Sequence, residues 1–276
     1  MKKTSKKRLW GAGIAGVAAV ASLLNFAPVP ALAQSSTTAK AGIPAGPRRL
    51  ADGRPDFSGI WEAVNTASWD IQDHGGLLGI PPGVGVVEGN DIPYQPWAVA
   101  KKKENFVNRK TADITEAKCY MPGIPRATYM PYPFKISQSP TAIAFSYEFG
   151  HALRIIHMNG QHPDPNGFLD TWMGDARGHW EGDTLVIDSS HFNDQTWFDQ
   201  AGNFHSEALH VVERHSLADA NHIYYEATIE DPKVFTRPWK MSMPLYRRME
   251  KNATLLEYEC VFFMQEEAYK NAPFIK

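Results

Sequence analysis

The run WMGDARGHWEGDTLVIDSSHFNDQTWFDQAGNFHSEALHVVER, residues 172–214, decides how this chain is read. It gathers Trp172, Trp180 and Trp197 with His179, His191, His205 and His210 around two short apolar runs, DTLVID and LHVVER. Both runs have the length and β-branched content of strands, so the polar, aromatic stretch between them reads as a functional loop. Strand geometry alternates side chains between two faces. Over residues 209–216, His210, Val212 and Arg214 share one face and Leu209, Val211 and Glu213 the other. Over residues 184–189 the sets are Thr184, Val186, Asp188 and Leu185, Ile187, Ser189. Neither face is purely apolar, which suits a barrel with a partly polar interior that holds one small ligand.

Outward from this run the pattern stays β. Strands are expected at residues 58–64, 135–138, 142–149, 151–158, 222–230, 239–249 and 254–263, with little helix. Gly150, Asn159-Gly160, Asp219-Ala220-Asn221 and Lys251-Asn252 supply turn chemistry between them, and Glu181-Gly182-Asp183 reads as a hairpin turn. Consecutive hairpins predict an antiparallel, lipocalin-like β-barrel, since closure removes exposed edges; a β-sandwich is the alternative. Residues 66–133 are irregular, punctuated by Gly75-Gly76, Pro81-Pro82-Gly83 and Gly89-Asn90-Asp91. Such a long loop-rich stretch reads as a wrap around the barrel. Within it, residues 96–108 predict a helix that starts on Pro96, with Lys101, Lys102 and Lys103 on its solvated side. Residues 119–126 read as an extended, proline-stiffened segment.

The N-terminus has the form of a secretory signal peptide. Lys2, Lys3, Lys6, Lys7 and Arg8 precede an apolar run over residues 9–26, and Ala31-Leu32-Ala33 offers a cleavage site. Lys7-Arg8 is not a twin arginine, so the general secretory route and a periplasmic or secreted product are expected. Removal takes five positive charges from 28 Lys+Arg and none from 30 Asp+Glu, leaving a net charge of −7. That balance gives no electrostatic reason to bind nucleic acid, and no stable membrane insertion is expected after cleavage. Residues 34–53 predict a disordered leader, and residues 54–276 one domain. In an oxidising compartment the two cysteines, Cys119 and Cys260, could form a disulfide; two buried free thiols are the other possibility.

Gly59-x-Trp61 at the first strand resembles the opening of lipocalins and related calycin barrels, where the glycine permits a tight turn and the tryptophan plugs the closed end. The chain from DFSGIW to EYEC is also similar to a family of secreted bacterial β-barrel proteins that share runs like GHWEGDTLVID and TWFDQAGNFHSEALHVVER. That resemblance implies a fold and a compartment more than an activity.

Histidine with a carboxylate partner can act as a general base near neutral pH. His205 and His210, with Asp188 or Asp199 to orient them and His157 on another strand, are the candidate catalytic groups. The plainer reading makes each a hydrogen-bonded structural histidine at a barrel rim. Trp61, Arg126, Arg154, Trp172, Asp175, Arg177, Trp197, Asp199 and Tyr225 are candidate substrate-binding residues. Arg177 could pair with a ligand carboxylate while Trp172 stacks on a ring; Asp175 and Arg177 could equally be an ion pair closing the barrel end. Arg154 could instead pair with Glu148. No H-E-x-x-H or cysteine cluster argues for a metal site, and G-x-S-x-G, P-loop and dinucleotide fingerprints are missing. The expected function is therefore cofactor-independent acid–base chemistry, as a lyase, hydratase, isomerase or hydrolase, on a small hydrophobic or aromatic molecule in the barrel cavity. The alternative is a periplasmic carrier that uses the same cavity without turnover.

Overall fold

Alternation along LHVVER sends Val211, Glu213 and His215 to the barrel interior and His210, Val212 and Arg214 outward. The same rule applies around the computed structural model, which describes residues 46–77, 80–164, 166–167 and 169–258. Nine strands form a closed barrel in sequence order. They are β1 (Gly59–Ala63), β2 (Phe134–Gln138), β3 (Ala142–Tyr147), β4 (Leu153–Met158), β5 (Asp175–Glu181), β6 (Thr184–Ser190), β7 (His210–Leu217), β8 (His222–Glu230) and β9 (Trp239–Arg247). β9 pairs with β1 to close the ring. The barrel is mixed, because β4 and β5 run parallel while the other neighbours are antiparallel. A parallel pair cannot be joined by a tight hairpin. The chain after Asn159-Gly160 instead crosses back along the wall before β5 begins.

β5 is the strand the sequence conceals. DARGHWE lacks an apolar alternation, and its inward positions include Ala176 and Gly178. A Cβ on Gly178 would lie 2.7 Å from Ile156 Cγ2 and from Met158 Sδ, so the neighbouring strand occupies the space a larger residue would need. The strand expected at residues 254–263 does not form over residues 254–258, and residues 259–263 lie outside those described.

The wrap behaves largely as its composition implies. Helix α1 (Pro96–Ala112) begins on Pro96 and runs past the expected end, followed by α2 (Ile114–Lys118). Arg126 opens a one-turn helix, α3 (Arg126–Tyr129), where extended chain was expected. Its guanidinium is buried against Asp113 (3.0 and 2.9 Å) and Glu116 (3.1 Å), so it ties α3 to the start of α2 and is committed to structure. Residues 46–53 are not free leader: Arg49 makes two bonds to Asp183, at 2.9 and 2.6 Å. Residues 1–45, with the expected cleavage site, lie outside the described residues, as does Cys260 of the expected Cys119–Cys260 bridge.

Gly59 and Trp61 have a physical role at β1. Gly59 has φ +141°, and a Cβ there would meet Arg247 Nη1 at 2.1 Å. Arg247 lies over the Trp61 ring at 4.1 Å, and the fully buried indole donates to Phe57 O at 2.8 Å. Trp61 is therefore packed into the core and not presented to a ligand.

The lumen is aromatic with an ionic centre. Arg154 on β4 and Glu213 on β7 form an ion pair that is almost wholly buried. Ser189 Oγ accepts from Arg154 Nη2 at 2.6 Å, and Tyr225 donates to Glu213 Oε1 at 3.0 Å. Glu148 does not meet Arg154; it accepts from the Leu256 amide at 2.7 Å. Breaking a buried pair by removing one partner strands a charge and destabilises by about 3–5 kcal/mol, whereas an apolar pair of similar volume is often neutral. We expect Glu213→Leu to lower unfolding free energy by about that amount in urea titrations. The double variant Arg154→Met/Glu213→Leu should recover most of the loss. Equal destabilisation in both variants would contradict this view of the pair.

Candidate functional site

The outward faces of β5 to β8, and the crossover before β5, carry a continuous row of ionisable groups. Asp188 points outward because Leu185, Ile187 and Ser189 of β6 turn inward. In the β6–β7 register Asp188 lies opposite Val212, which places His210 on the diagonal. Across the next pair His210 lies directly opposite Glu230 of β8. His210 Nε2 is 2.8 Å from Asp188 Oδ1, and its Nδ1 is 3.4 Å from Glu230 Oε2. His162, on the crossover, reaches the same Asp188 Oδ1 with Nε2 at 3.0 Å and Asp175 Oδ2 with Nδ1 at 2.7 Å. Arg177 completes the row, donating to Asp175 from Nε (2.7 Å) and Nη2 (2.8 Å). The order is thus Glu230, His210, Asp188, His162, Asp175, Arg177, alternating acid and base.

The electrostatics follow the bonds. The hydrogen bond to Asp188 raises the His210 pKa against the opposing effect of burial. The bond from His210, aided by His162, holds Asp188 below the usual carboxylate value. Burial pushes Asp175 up, but bonds from Arg177 and His162 outweigh it and hold the group low. Beside this row lies an open cleft of about 390 Å3, lined by His162, Arg177, His179 and Asp188 with Asn159 and Gln161.

Four of the expected site residues, His210, Asp188, Asp175 and Arg177, therefore meet, though on the outer wall and not in the lumen. His157 is exposed on β4, where it is the register partner of Arg177. Arg154 and Tyr225 meet in the lumen. His205 belongs to neither group. It is buried, its Nδ1 donates to Ser206 O at 2.9 Å, and its Nε2 then accepts from Thr196 Oγ1 at 2.7 Å. Burial pushes its pKa down, so its ring is a satisfied structural group and the catalytic expectation is corrected.

Asp199 is likewise structural. It accepts from the amides of Ile71 (2.9 Å) and Asn203 (3.1 Å) and from Asn203 Nδ2 (2.5 Å). Burial pushes it up to about 7. Trp197 is buried beside its bridge to Phe204, and Trp172 packs edge-on against Tyr120 at 5.4 Å.

Sequence reasoning missed His162 and Glu230 in the outer row, and Glu213 and His215 in the lumen. His162 had one usable signal: it precedes Pro163, which biases it to extended backbone and fixes how it leaves the Asn159-Gly160 turn. Among the described residues, no group of three or more His, Cys, Asp and Glu is arranged to hold a metal ion.

No family model, no curated protein and no solved structure matches this chain. The site must therefore be interpreted from its own geometry.

The pH behaviour follows from the directions of these shifts. A raised His210 contributes stability that is complete below its unfolded value of 6.5 and lost as pH rises through the folded value. Lowered Asp188 and Asp175 contribute stability that is complete above 3.8 and lost as pH falls through their folded values. The contributions of His210, Asp188 and Asp175 are thus all present between 3.8 and 6.5. An NMR titration should place the His210 midpoint above 6.5, and Asp188→Asn should bring it down. A midpoint that ignores the substitution would remove Asp188 as its cause.

Proposed function

We propose that this chain is a secreted small-molecule enzyme that works by acid–base chemistry without an organic cofactor, with its reacting groups in the outer-wall cleft. The observation that carries the reading is that His162 and His210 share one oxygen of Asp188 at the edge of an open cleft. A histidine oriented by a carboxylate and reachable from solvent is the arrangement proton transfer needs. In this reading His162 is the proton carrier. When one ring nitrogen turns to substrate, the carboxylate that keeps the other nitrogen holds the ring in place. His210, between Asp188 and Glu230, keeps Asp188 ionised, and Arg177 faces negative charge that develops on a substrate oxygen.

The reaction class is elimination, hydration, isomerisation or hydrolysis. The substrate is a small molecule, hydrophobic or aromatic in its body, that presents an oxygen-bearing end to the polar cleft. A leader cleaved near Ala33 would place the domain in the periplasm or outside the cell.

A second reading is a carrier that binds in the lumen without turnover. It is favoured by Arg154 Nε and Nη1 and both ring nitrogens of His215, all buried without a hydrogen-bond partner among the described residues. Buried polar atoms are ordinarily satisfied by protein, water or ligand.

The discriminating experiment incubates the protein with a small-molecule extract in D2O or 18O-water and follows label incorporation by mass spectrometry. The enzyme reading expects label to enter a small aromatic or hydrophobic compound. His162→Gln and Asp188→Asn should slow incorporation by about 10²–10⁴-fold, the usual range for a positioned acid–base group. Incorporation that neither variant slows, or none with wild type, would reject the outer cleft as a catalytic site.

A further inference from the structure

At another place on the barrel, where β1, β2 and the end of β9 meet, lies a groove of about 710 Å3. Arg48, Lys135, Arg247, Arg248 and Lys251 line it, with Glu250 as the one acidic residue in its wall. Arg248 is neutralised by Glu250 (2.8 Å) and Glu62 (3.2 Å). Among the described residues Arg48, Lys135, Arg247 and Lys251 form no ion pair, although the whole chain is slightly acidic at −2. Surface cations of a folded protein ordinarily spread out or find carboxylates, since like charges at close range raise the energy of the folded state. Four without an ion pair in one concavity, with Asp56 acting on Arg247 only from beyond contact range, make it a place for an anion.

Arg247 shows that the groove is built and not incidental. Its ring contact with Trp61 fixes the guanidinium plane, its Nε donates to Ala220 O at 2.8 Å, and its Nη1 donates to Ser58 O at 2.6 Å. Its Nη2 is buried and has no hydrogen-bond partner among the described residues. Burial and then the Arg48 charge depress the Arg247 pKa, and the Asp56 carboxylate only partly opposes them. A guanidinium held in this way places a fixed positive charge at the groove wall without losing side-chain freedom on binding. Ile60, Met249, Ala253 and Leu255 add apolar surface to the wall beside Ser58 and Thr254, and the volume falls in the range of ordinary small-molecule sites.

We propose that this groove binds a small organic carboxylate, with its head between the Arg48 and Lys135 side chains beside the fixed charge of Arg247, and its apolar part along Ile60, Met249 and Leu255. The site is independent of the outer-wall cleft, which lies on β5, β6 and the crossover before β5.

The test titrates the full chain at low ionic strength by calorimetry with octanoate, octylammonium and inorganic phosphate. Octanoate should bind saturably at one site, octylammonium should not bind, and phosphate should bind more weakly than octanoate. Arg48→Glu and Lys135→Glu should each weaken octanoate by about tenfold or more, as loss and reversal of a charge opposite a carboxylate requires. Both side chains are exposed, so their thermal melting should match wild type; Lys251→Glu replaces either one that melts early. The proposal is overturned if octanoate fails to saturate, if the charge-reversed variants bind as wild type does, or if phosphate matches octanoate and the apolar wall is idle.

Discussion

The ion pair between Arg154 and Glu213 spans the barrel from β4 to β7, and much of the structure can be understood as accommodating it. Two charges out of water are tolerated only when geometry and further hydrogen bonds compensate. Ser189 and Tyr225 supply part of that compensation, drawing β6 and β8 into the same centre, while Arg154 Nε and Nη1 have no partner among the described residues. Aromatic side chains fill the remaining lumen: Phe134, Phe145 and Tyr147 pack as a set, and His215 lies against Phe145 and Tyr225. Burial pushes the His215 pKa down to about 4, which keeps a second positive charge away from Arg154 at neutral pH. With the inward face of every strand committed in this way, alternation sends the remaining polar residues of β5 to β8 to the outer wall.

That wall becomes a site because of one topological feature. The parallel β4–β5 pair needs a connection that returns along the barrel. The returning chain sets His162 over Asp175 and Asp188. In an all-antiparallel meander, Asn159-Gly160 would have closed a tight hairpin and His162 would have entered a strand. The crossover therefore links a fold-level constraint to the chemistry proposed for the cleft. His162 therefore ties the crossover to both β5 and β6, through Asp175 at 2.7 Å and Asp188 at 3.0 Å.

Much of the barrel was legible in the chain because its strands alternate. LHVVER and DTLVID each divide into two faces, and the structure separates the same two sets. β5 was hidden because its packing demands the opposite of a strand signature, with Ala176 and Gly178 where apolar bulk would mark a core face. Missing β5 made the parallel pair invisible, and with it the role of His162. Asp188, named with Asp199 as a possible partner of His210, could be singled out because both Asp188 and His210 sit on recognisable strands. Their placement outside the barrel could not, since both faces of these strands carry polar residues. His205 and Asp199 misled because a buried, satisfied group and a catalytic one use the same residue types. Only the partners, Thr196 and Ser206 for one and Ile71 and Asn203 for the other, tell them apart.

The central claim is that the outer-wall row holds the crossover while the lumen packing of the strands does not depend on it. Amide hydrogen exchange followed by mass spectrometry, comparing wild type with Asp188→Ala at one pH, tests it most directly. The account predicts that residues 159–164 exchange faster in the variant, because one of the two carboxylates that hold His162 is gone, while the strand amides of β6, β7 and β8 keep their protection. Loss of protection in the strands and the crossover together, or no change at residues 159–164, would contradict it.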